Sequence, residues 1–183
     1  MNRFVWAMAR LWIRLRSGRN PPLNLPDPVW YFAYGSNMNE RLFRERRHMT
    51  PIESKVARLD GYRLCFTVAG GRRPGSSAPA NIRPAPGDAV YGVLYLLPLR
   101  KFTRLDASEG RQYAYLEVGV RDASGAEIRA MSYIGPAGAP DGRPSRAYLE
   151  IVRAAARERG LPAETIAFLG GIEPREESNR GAA

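Results

Sequence analysis

The chain has 183 residues, 44% of them hydrophobic and 25% charged, which fits one globular domain with a sizeable core and short tails. A single cysteine, Cys65, excludes an internal disulfide, and one cysteine with one histidine, His48, cannot form a Cys/His zinc site. The formal net charge of +10 comes mainly from arginine. Nucleic-acid binding is not expected, because no strongly basic helix interleaved with aromatic residues and no finger spacing accompanies this charge.

The N-terminal segment 2–17 has its own character, with Phe4, Met8, Leu11 and Leu15 on one helical stripe and arginines largely opposite. Arginines interrupt the apolar run before the roughly twenty residues that a membrane-spanning helix needs. No small-residue cleavage site of a secretory signal follows. We therefore expect a cytoplasmic protein. Two interpretations of the segment remain: a basic amphipathic helix in peripheral contact with the inner membrane surface, or an unstructured start.

The domain boundaries follow from composition. A proline-rich stretch that cannot continue a helix ends near residue 28, so we assign residues 1–28 to an N-terminal segment and linker. Residues 29–174 form the predicted folded domain, and residues 175–183 a flexible tail. The residues leave both a monomer and a homodimer open.

The predicted elements alternate strands with turns along the domain. In chain order they are a buried strand over 29–34, a helix over 39–47, a hairpin of strands over 55–59 and 62–68 with its turn at 60–61, a loop over 69–79, a short strand over 81–83, a turn over 86–88, a long strand over 89–97, a helix over 98–109, a hairpin over 113–121 and 126–134, and helices over 144–159 and 162–169. Strands outnumber helices and are mostly joined by hairpins. This predicts an α+β fold with a mainly antiparallel, strongly curved or barrel-like sheet and flanking helices.

The loop that follows the first strand reads Tyr34-Gly35-Ser36-Asn37. Glycine lets the backbone approach a ligand closely, and amides at the start of a helix favour negative charge. The loop can therefore hold a substrate carboxylate. Gly-Ser-Asn is equally ordinary turn chemistry, and the tetrapeptide alone does not separate the two interpretations.

Glu109 is the second feature that carries chemistry, because it is the last residue before the glycine that ends a predicted helix. A carboxylate at the negative end of a helix is less readily ionised, which suits a general base. An exposed glutamate at a helix end is the alternative. Asp106, one turn earlier, is expected to face solvent or to act as a cap.

Other motifs of catalytic sites are absent or incomplete. The segment Gly35-Ser36-Asn37-Met38 lacks the second glycine of a nucleophile elbow, so a Ser-His-Asp hydrolase is disfavoured. The glycine-rich run at 70–77 has no Gly-Lys-Ser/Thr and is interpreted as a surface loop. His48 lies in a charged helix end, where a solvated histidine is expected.

Several motifs occur together in a fixed order along the chain: Tyr-Phe-Ala-Tyr-Gly-Ser-Asn at 31–37, Val-Ala-Arg-Leu at 56–59, Pro-Gly-Asp-Ala-Val-Tyr-Gly-Val at 86–93, Leu-Asp-Ala-Ser-Glu-Gly at 105–110, Ser-Tyr at 132–133, Pro-Ser-Arg-Ala-Tyr at 144–148, Gly-Leu-Pro at 160–162 and Ile-Glu-Pro at 172–174. With these motifs the chain resembles the γ-glutamylcyclotransferase family over residues 29–174. The ordered set is far more specific than the loop alone.

The resemblance implies an enzyme of glutathione metabolism that cyclises a γ-glutamyl group to 5-oxoproline and releases the attached amine or amino acid, with no cofactor and no metal. The catalytic general base would be Glu109. Tyr133 and Tyr148 would line the pocket with hydroxyl donors. The substrate loop would consist of Tyr31, Phe32, Ala33, Tyr34, Gly35, Ser36 and Asn37.

The chain departs from the family pattern after Glu109, where it is shorter than the animal enzymes before their pocket tyrosine. Either Tyr113 or Tyr115 can fill that role, and the strand register favours Tyr115. The leaving group stays open among γ-glutamyl amino acids, γ-glutamylamines and γ-glutamyl-lysine. A catalytically inactive binding module on the same scaffold is the alternative function.

Overall fold

The computed structural model describes residues 24–67, 77–110 and 112–176, together with positions 7, 8 and 11. Its elements are β1 (Val29–Ala33), a 3₁₀ turn (Ser36–Met38), α1 (Glu40–Glu45), β2 (Glu53–Phe66), β3 (Ala80–Leu97), α2 (Leu99–Ser108), β4 (Ala114–Asp122), β5 (Glu127–Ile134), α3 (Arg146–Glu158) and α4 (Ala163–Gly171). Most of the predicted N-terminal helix, most of the loop over 69–79 and the tail beyond residue 176 lie outside the described residues. None of the described helices is long and apolar enough to cross a membrane.

The five described strands close into a barrel in the order β1, β3, β2, β4, β5. The neighbours pair antiparallel, except that β5 meets β1 in parallel where Met131 lies opposite Tyr31. The hydroxyl of Ser132 donates to the carbonyl of Phe32 at 2.9 Å beside this junction. The prediction of an α+β fold with a mainly antiparallel, barrel-like sheet is therefore confirmed.

The strands β2 and β3 are longer than predicted. The sequence indicated a hairpin turn at Asp60 and Gly61, but β2 runs through this point and its register against β3 shifts between Asp60 and Tyr62. The turn predicted over 86–88 likewise lies inside β3. Both predictions are wrong for one reason. Gly61 (φ +77°) and Gly87 (φ +92°) supply the left-handed backbone that a β-bulge needs as much as a turn does.

The strand β1 is buried on both faces and is the centre of the core. Tyr31, Phe32 and Ala33 are each less than 5% exposed. The chain makes room for β1 at Gly92 on β3, where a Cβ atom would collide with the carbonyl oxygen of Ala33 and the ring of Phe32. Burial of apolar side chains on both faces of one strand is the main stabilising contribution that this topology offers. The remaining large buried side chains include Phe43, Leu94, Leu97, Phe102, Leu105 and Leu149.

The helix ends are fixed by side-chain caps. Asn39 accepts a hydrogen bond from the amide of Leu42 at 2.9 Å and starts α1, which ends at Glu45, short of the predicted residue 47. Asp27 lies in the predicted linker, yet its carboxylate accepts a hydrogen bond from the amide of Leu99 at 2.8 Å. The linker therefore contributes the cap of α2.

Four tyrosines are buried in the core, namely Tyr31, Tyr34, Tyr95 and Tyr133, and the partly buried Tyr148 packs against it. Burial raises the pKa of each of these five phenols above its usual value. In the unfolded chain these phenols ionise near pH 10. Above that pH the unfolded state loses protons first, so the folded state loses stability. We expect the free energy of unfolding to fall steeply above about pH 10, each tyrosine adding up to about 1.4 kcal/mol per pH unit.

Urea unfolding of the wild type and of Tyr95→Phe between pH 7 and pH 11 tests this expectation. The hydroxyl of Tyr95 donates to the carbonyl of Met38 at 3.1 Å, so the variant should lose about 1 kcal/mol at pH 7. It should also show a shallower alkaline slope, because one buried phenol is gone. Identical slopes in the two proteins would contradict the assignment.

Candidate active site

A cavity of about 350 Å³ opens where the loop after β1 meets the C-terminal end of α2. Polar side chains and backbone from both elements face it. Its described lining residues are Tyr31, Tyr34, Gly35, Ser36, Asn37, Arg47, Pro79, Ala80, Ser108, Glu109, Gly110, Gln112, Tyr113, Tyr133 and Tyr148.

Glu109 is the one carboxylate among the described residues that line this cavity. The residue follows α2 directly in an extended conformation, with φ −75° and ψ 145°, and this turns its side chain away from the helix axis. The side chain is 12% exposed. A carboxylate so sheltered, yet facing a cavity, can exchange a proton with a bound ligand.

The side chain of Asn37 fixes the position of that carboxylate. Its Nδ2 atom donates to Oε1 of Glu109 at 3.0 Å and to the hydroxyl oxygen of Tyr31 at 2.9 Å. An amide nitrogen carries two N–H donors, and both are used here. The loop after β1 and the end of α2 are thereby held together across the cavity.

Arg47 adds a permanent positive charge beside the carboxylate. Its Nη1 atom lies 3.4 Å from Oε1 of Glu109 and donates to Oγ of Ser108 at 2.6 Å. This role could not be predicted from the sequence, because Arg47 lies in a charged run after a short helix and its partners are about sixty residues away in the chain.

Three of the cavity tyrosines use their hydroxyl protons inside the protein. Tyr34 donates to the carbonyl of Tyr133 at 2.6 Å, and Tyr113 donates to the carbonyl of Ala80 at 3.0 Å. Tyr133 donates to Oδ1 of Asp106 at 3.1 Å. Burial raises the pKa of Tyr133, and the Asp106 and Glu109 carboxylates add to the shift, so this phenol stays protonated. These three hydroxyls shape the wall of the cavity.

The hydroxyl of Tyr148, in contrast, accepts a hydrogen bond from the protein. Its hydroxyl oxygen accepts from the amide of Ala80 at 3.1 Å. Burial raises the pKa of Tyr148, and hydrogen bonds from Ala80 and from the amide and hydroxyl of Ser36 oppose that shift. Because this oxygen accepts the bond from Ala80, the Tyr148 hydroxyl can turn its own proton towards a ligand in the cavity.

The space beside Gly35 is tight. The φ of this glycine, −123°, is accessible to other residues, but a Cβ atom would lie 3.1 Å from both the hydroxyl of Tyr148 and Cβ of Ala80. The glycine therefore lets the tyrosine hydroxyl approach the loop.

Comparisons with known proteins agree with this geometry. A family model described as AIG2-like matches residues 89–169. The γ-glutamylcyclotransferase of Homo sapiens is 34% identical over 158 residues, which cover 82% of this chain and 81% of that protein. A γ-glutamyl cyclotransferase of Aspergillus oryzae is 30% identical over 80% of this chain, which spans only 62% of that relative's length. The chain belongs to the γ-glutamylcyclotransferase family.

A solved structure named γ-glutamyl cyclotransferase shows the same fold. It superposes with a TM-score of 0.74 at 30% sequence identity, covering 85% of this chain and 94% of its own. No group of three or more His, Cys, Asp or Glu side chains that could hold a metal ion occurs within the part of the chain that the structure describes.

The structure brings most of the site residues predicted from the family resemblance to one cavity. Those that line it are Tyr31, Tyr34, Gly35, Ser36, Asn37, Glu109, Tyr133 and Tyr148. Phe32 and Ala33 lie in the core beside it, less than 2% exposed. Their proposed roles in binding stay predictions.

Two placements differ from the sequence-based expectation. Tyr113, and not Tyr115, lines the cavity, because it precedes the first residue of β4 and does not follow the strand register. The ring of Tyr115 packs behind the wall, 5.7 Å from that of Tyr133. Asp106 does not face solvent; it is fully buried and receives the hydrogen bond of Tyr133.

The close approach at Gly35 gives a test of how tightly the loop is packed. We expect Gly35→Ala to lower the free energy of unfolding by about 1–3 kcal/mol, because the added methyl group must displace Tyr148 or Ala80. Gly170→Ala in α4 is the matched control, since nothing lies within 4 Å of the added atom. The control should be neutral or stabilising. Equal unfolding midpoints in urea for Gly35→Ala and the wild type would show that the loop has room.

Proposed function

We propose that this protein cyclises the γ-glutamyl group of a small molecule to 5-oxoproline and releases the attached amine or amino acid, with Glu109 as the general base. The observation that carries the proposal is the position of Glu109, the one carboxylate among the described lining residues, held by Asn37 in a cavity of a γ-glutamylcyclotransferase fold. The phenols around it stay protonated, so they do not compete for this role.

The first step is proton removal. The α-amine of a γ-glutamyl group is mostly an ammonium ion at neutral pH and has no lone pair with which to attack. Glu109 takes one proton from it, and the free amine attacks the γ-carbonyl carbon of the same molecule. Because nucleophile and electrophile belong to one chain, holding that chain folded into a five-membered ring contributes much of the rate.

The second step is collapse of the tetrahedral intermediate. Negative charge develops on the former carbonyl oxygen, and the hydroxyl proton of Tyr148, with backbone of the loop at Gly35 to Asn37, is suited to stabilise it. The carbon–nitrogen bond to the leaving group then breaks. Glu109 returns its proton to the leaving amine, so the carboxylate is regenerated and no cofactor is consumed.

The leaving group is not fixed by these contacts. γ-Glutamyl amino acids, γ-glutamylamines and γ-glutamyl-lysine all present the same γ-glutamyl end to Glu109. A catalytically inactive binding module is not favoured, because the curated relatives are named as cyclotransferases and the cavity retains both Glu109 and Asn37.

Replacement of the base gives the central test. Glu109→Gln keeps the shape of the side chain but cannot accept the proton, so we expect kcat to fall by about 100-fold or more. The measurement is 5-oxoproline formation from a panel of the three classes of γ-glutamyl compound. Glu45→Gln is the control, since Glu45 pairs with Arg41 on the exposed side of α1.

The two ways in which this test can fail are distinct. No 5-oxoproline from any compound with the wild type would refute the cyclotransferase proposal. Full activity of Glu109→Gln, with an active wild type, would leave the enzyme but remove its proposed base. Thermal unfolding of each variant shows whether a loss of rate reflects a loss of fold.

We also propose that residues 29–174 are the catalytic domain and that residues 2–17 make peripheral contact with membranes. Because Asp27 caps α2 and Leu25 packs against the core, the deletion that tests this should remove residues 2–23 and leave both in place. We expect the shortened protein to keep its rate of 5-oxoproline formation and to lose co-sedimentation with vesicles containing anionic lipid. Equal sedimentation of the full and shortened proteins would refute the membrane contact.

A further inference from the structure

Arg47 presents unused hydrogen-bond donors to the cavity. Among the described residues, its contacts with Ser108 and Glu109 all run through Nη1. A guanidinium carries five N–H donors in a planar fork that matches a carboxylate. The side chain is 24% exposed and lines the cavity, so Nε and Nη2 can reach a bound anion.

The charges of the cavity match those of a γ-glutamyl group. Arg47 and Glu109 are the two fully charged side chains among its described lining residues, and 3.4 Å separates Nη1 from Oε1. A γ-glutamyl group carries an ammonium and a carboxylate on one carbon atom. If the ammonium lies against Glu109, as the proposed proton transfer requires, the carboxylate falls within reach of the neighbouring guanidinium.

The loop after β1 is less available to this carboxylate than its sequence indicated. The amide of Met38 already donates to the carbonyl of Gly35 at 2.9 Å, and the amide of Asn39 donates to the carbonyl of Ser36 at 3.1 Å. The helical turn that follows has three residues only, Ser36–Met38, so it adds little dipole. Tyr148, whose hydroxyl oxygen accepts from the amide of Ala80, is better placed to donate its proton to the carbonyl oxygen.

We propose that Arg47 binds the α-carboxylate of the substrate and so selects γ-glutamyl groups over acyl chains that lack it. This inference rests on the proposed function and adds a specificity-determining residue to it. The zwitterion is held with its amine at Glu109 and its carboxylate at Arg47.

The test compares two substrates that differ only in that carboxylate. γ-Glutamyl-alanine closes to 5-oxoproline, and 4-aminobutanoyl-alanine closes to 2-pyrrolidinone, both with release of alanine. In the wild type, kcat/KM should be higher for γ-glutamyl-alanine. In Arg47→Gln the ratio of the two values should fall by about 10- to 100-fold, because the variant loses a charge-assisted hydrogen bond that only the first substrate makes.

Matched variants separate binding from positioning. Arg44→Gln removes an arginine that pairs with Glu40 at 2.8 Å on α1, and it should keep the wild-type ratio. Arg47→Lys keeps the charge without the fork and should give an intermediate ratio. An unchanged ratio in Arg47→Gln, even with both rates lowered, would overturn the proposal and show that Arg47 acts only by positioning Glu109.

A binding measurement keeps the inference testable without turnover. Calorimetry with 5-oxoproline and 2-pyrrolidinone should show a wild-type preference for 5-oxoproline that Arg47→Gln loses. The same preference in both proteins would overturn the proposal. If the wild type formed no 5-oxoproline from any compound, the proposed function would fail, and this pair of ligands would still report on Arg47.

Discussion

The antiparallel pairing of β1 with β3 decides where Glu109 lies. Val29 at the start of β1 pairs with Leu97 at the end of β3, so α2 begins beside the start of β1. The ten residues of α2 span about 15 Å, close to the roughly 17 Å of the five residues of β1. Helix and strand, which are in contact, therefore end at the same level. The match in length brings Glu109 to Asn37 across 72 residues of sequence.

Two kinds of polar side chain surround the cavity between the loop after β1 and the end of α2. Some stabilise its wall, and others face its interior. Tyr34, Tyr113 and Tyr133 use their hydroxyl protons on partners inside the protein, one of which is the buried carboxylate of Asp106. Such bonds avoid the cost of unpaired polar groups in a core. Glu109 is the one carboxylate among the described residues that line the cavity.

Much of this arrangement could be predicted from the sequence, and the failures have a common cause. Periodicity located nearly every strand and helix, and the ordered motifs marked Glu109. Gly61 and Gly87 were correctly recognised as special backbone positions, but the sequence does not show whether a left-handed glycine lies in a turn or in a bulge. Whether such a glycine forms a turn or a bulge depends on how the neighbouring strand pairs with it. The sequence likewise does not show why position 35 is a glycine, because the residues that crowd it, Tyr148 and Ala80, lie far along the chain.

The contacts of charged residues are even harder to predict from the sequence. Arg47 follows α1 in a charged run and Asp106 lies within α2. Each contacts a partner that lies near it only in the folded barrel. On an exposed surface an arginine gains little from a single partner. Beside Glu109 and partly shielded from water, the same side chain exerts a stronger field. The electrostatics of the cavity therefore depend on burial and on neighbours, which composition does not reveal.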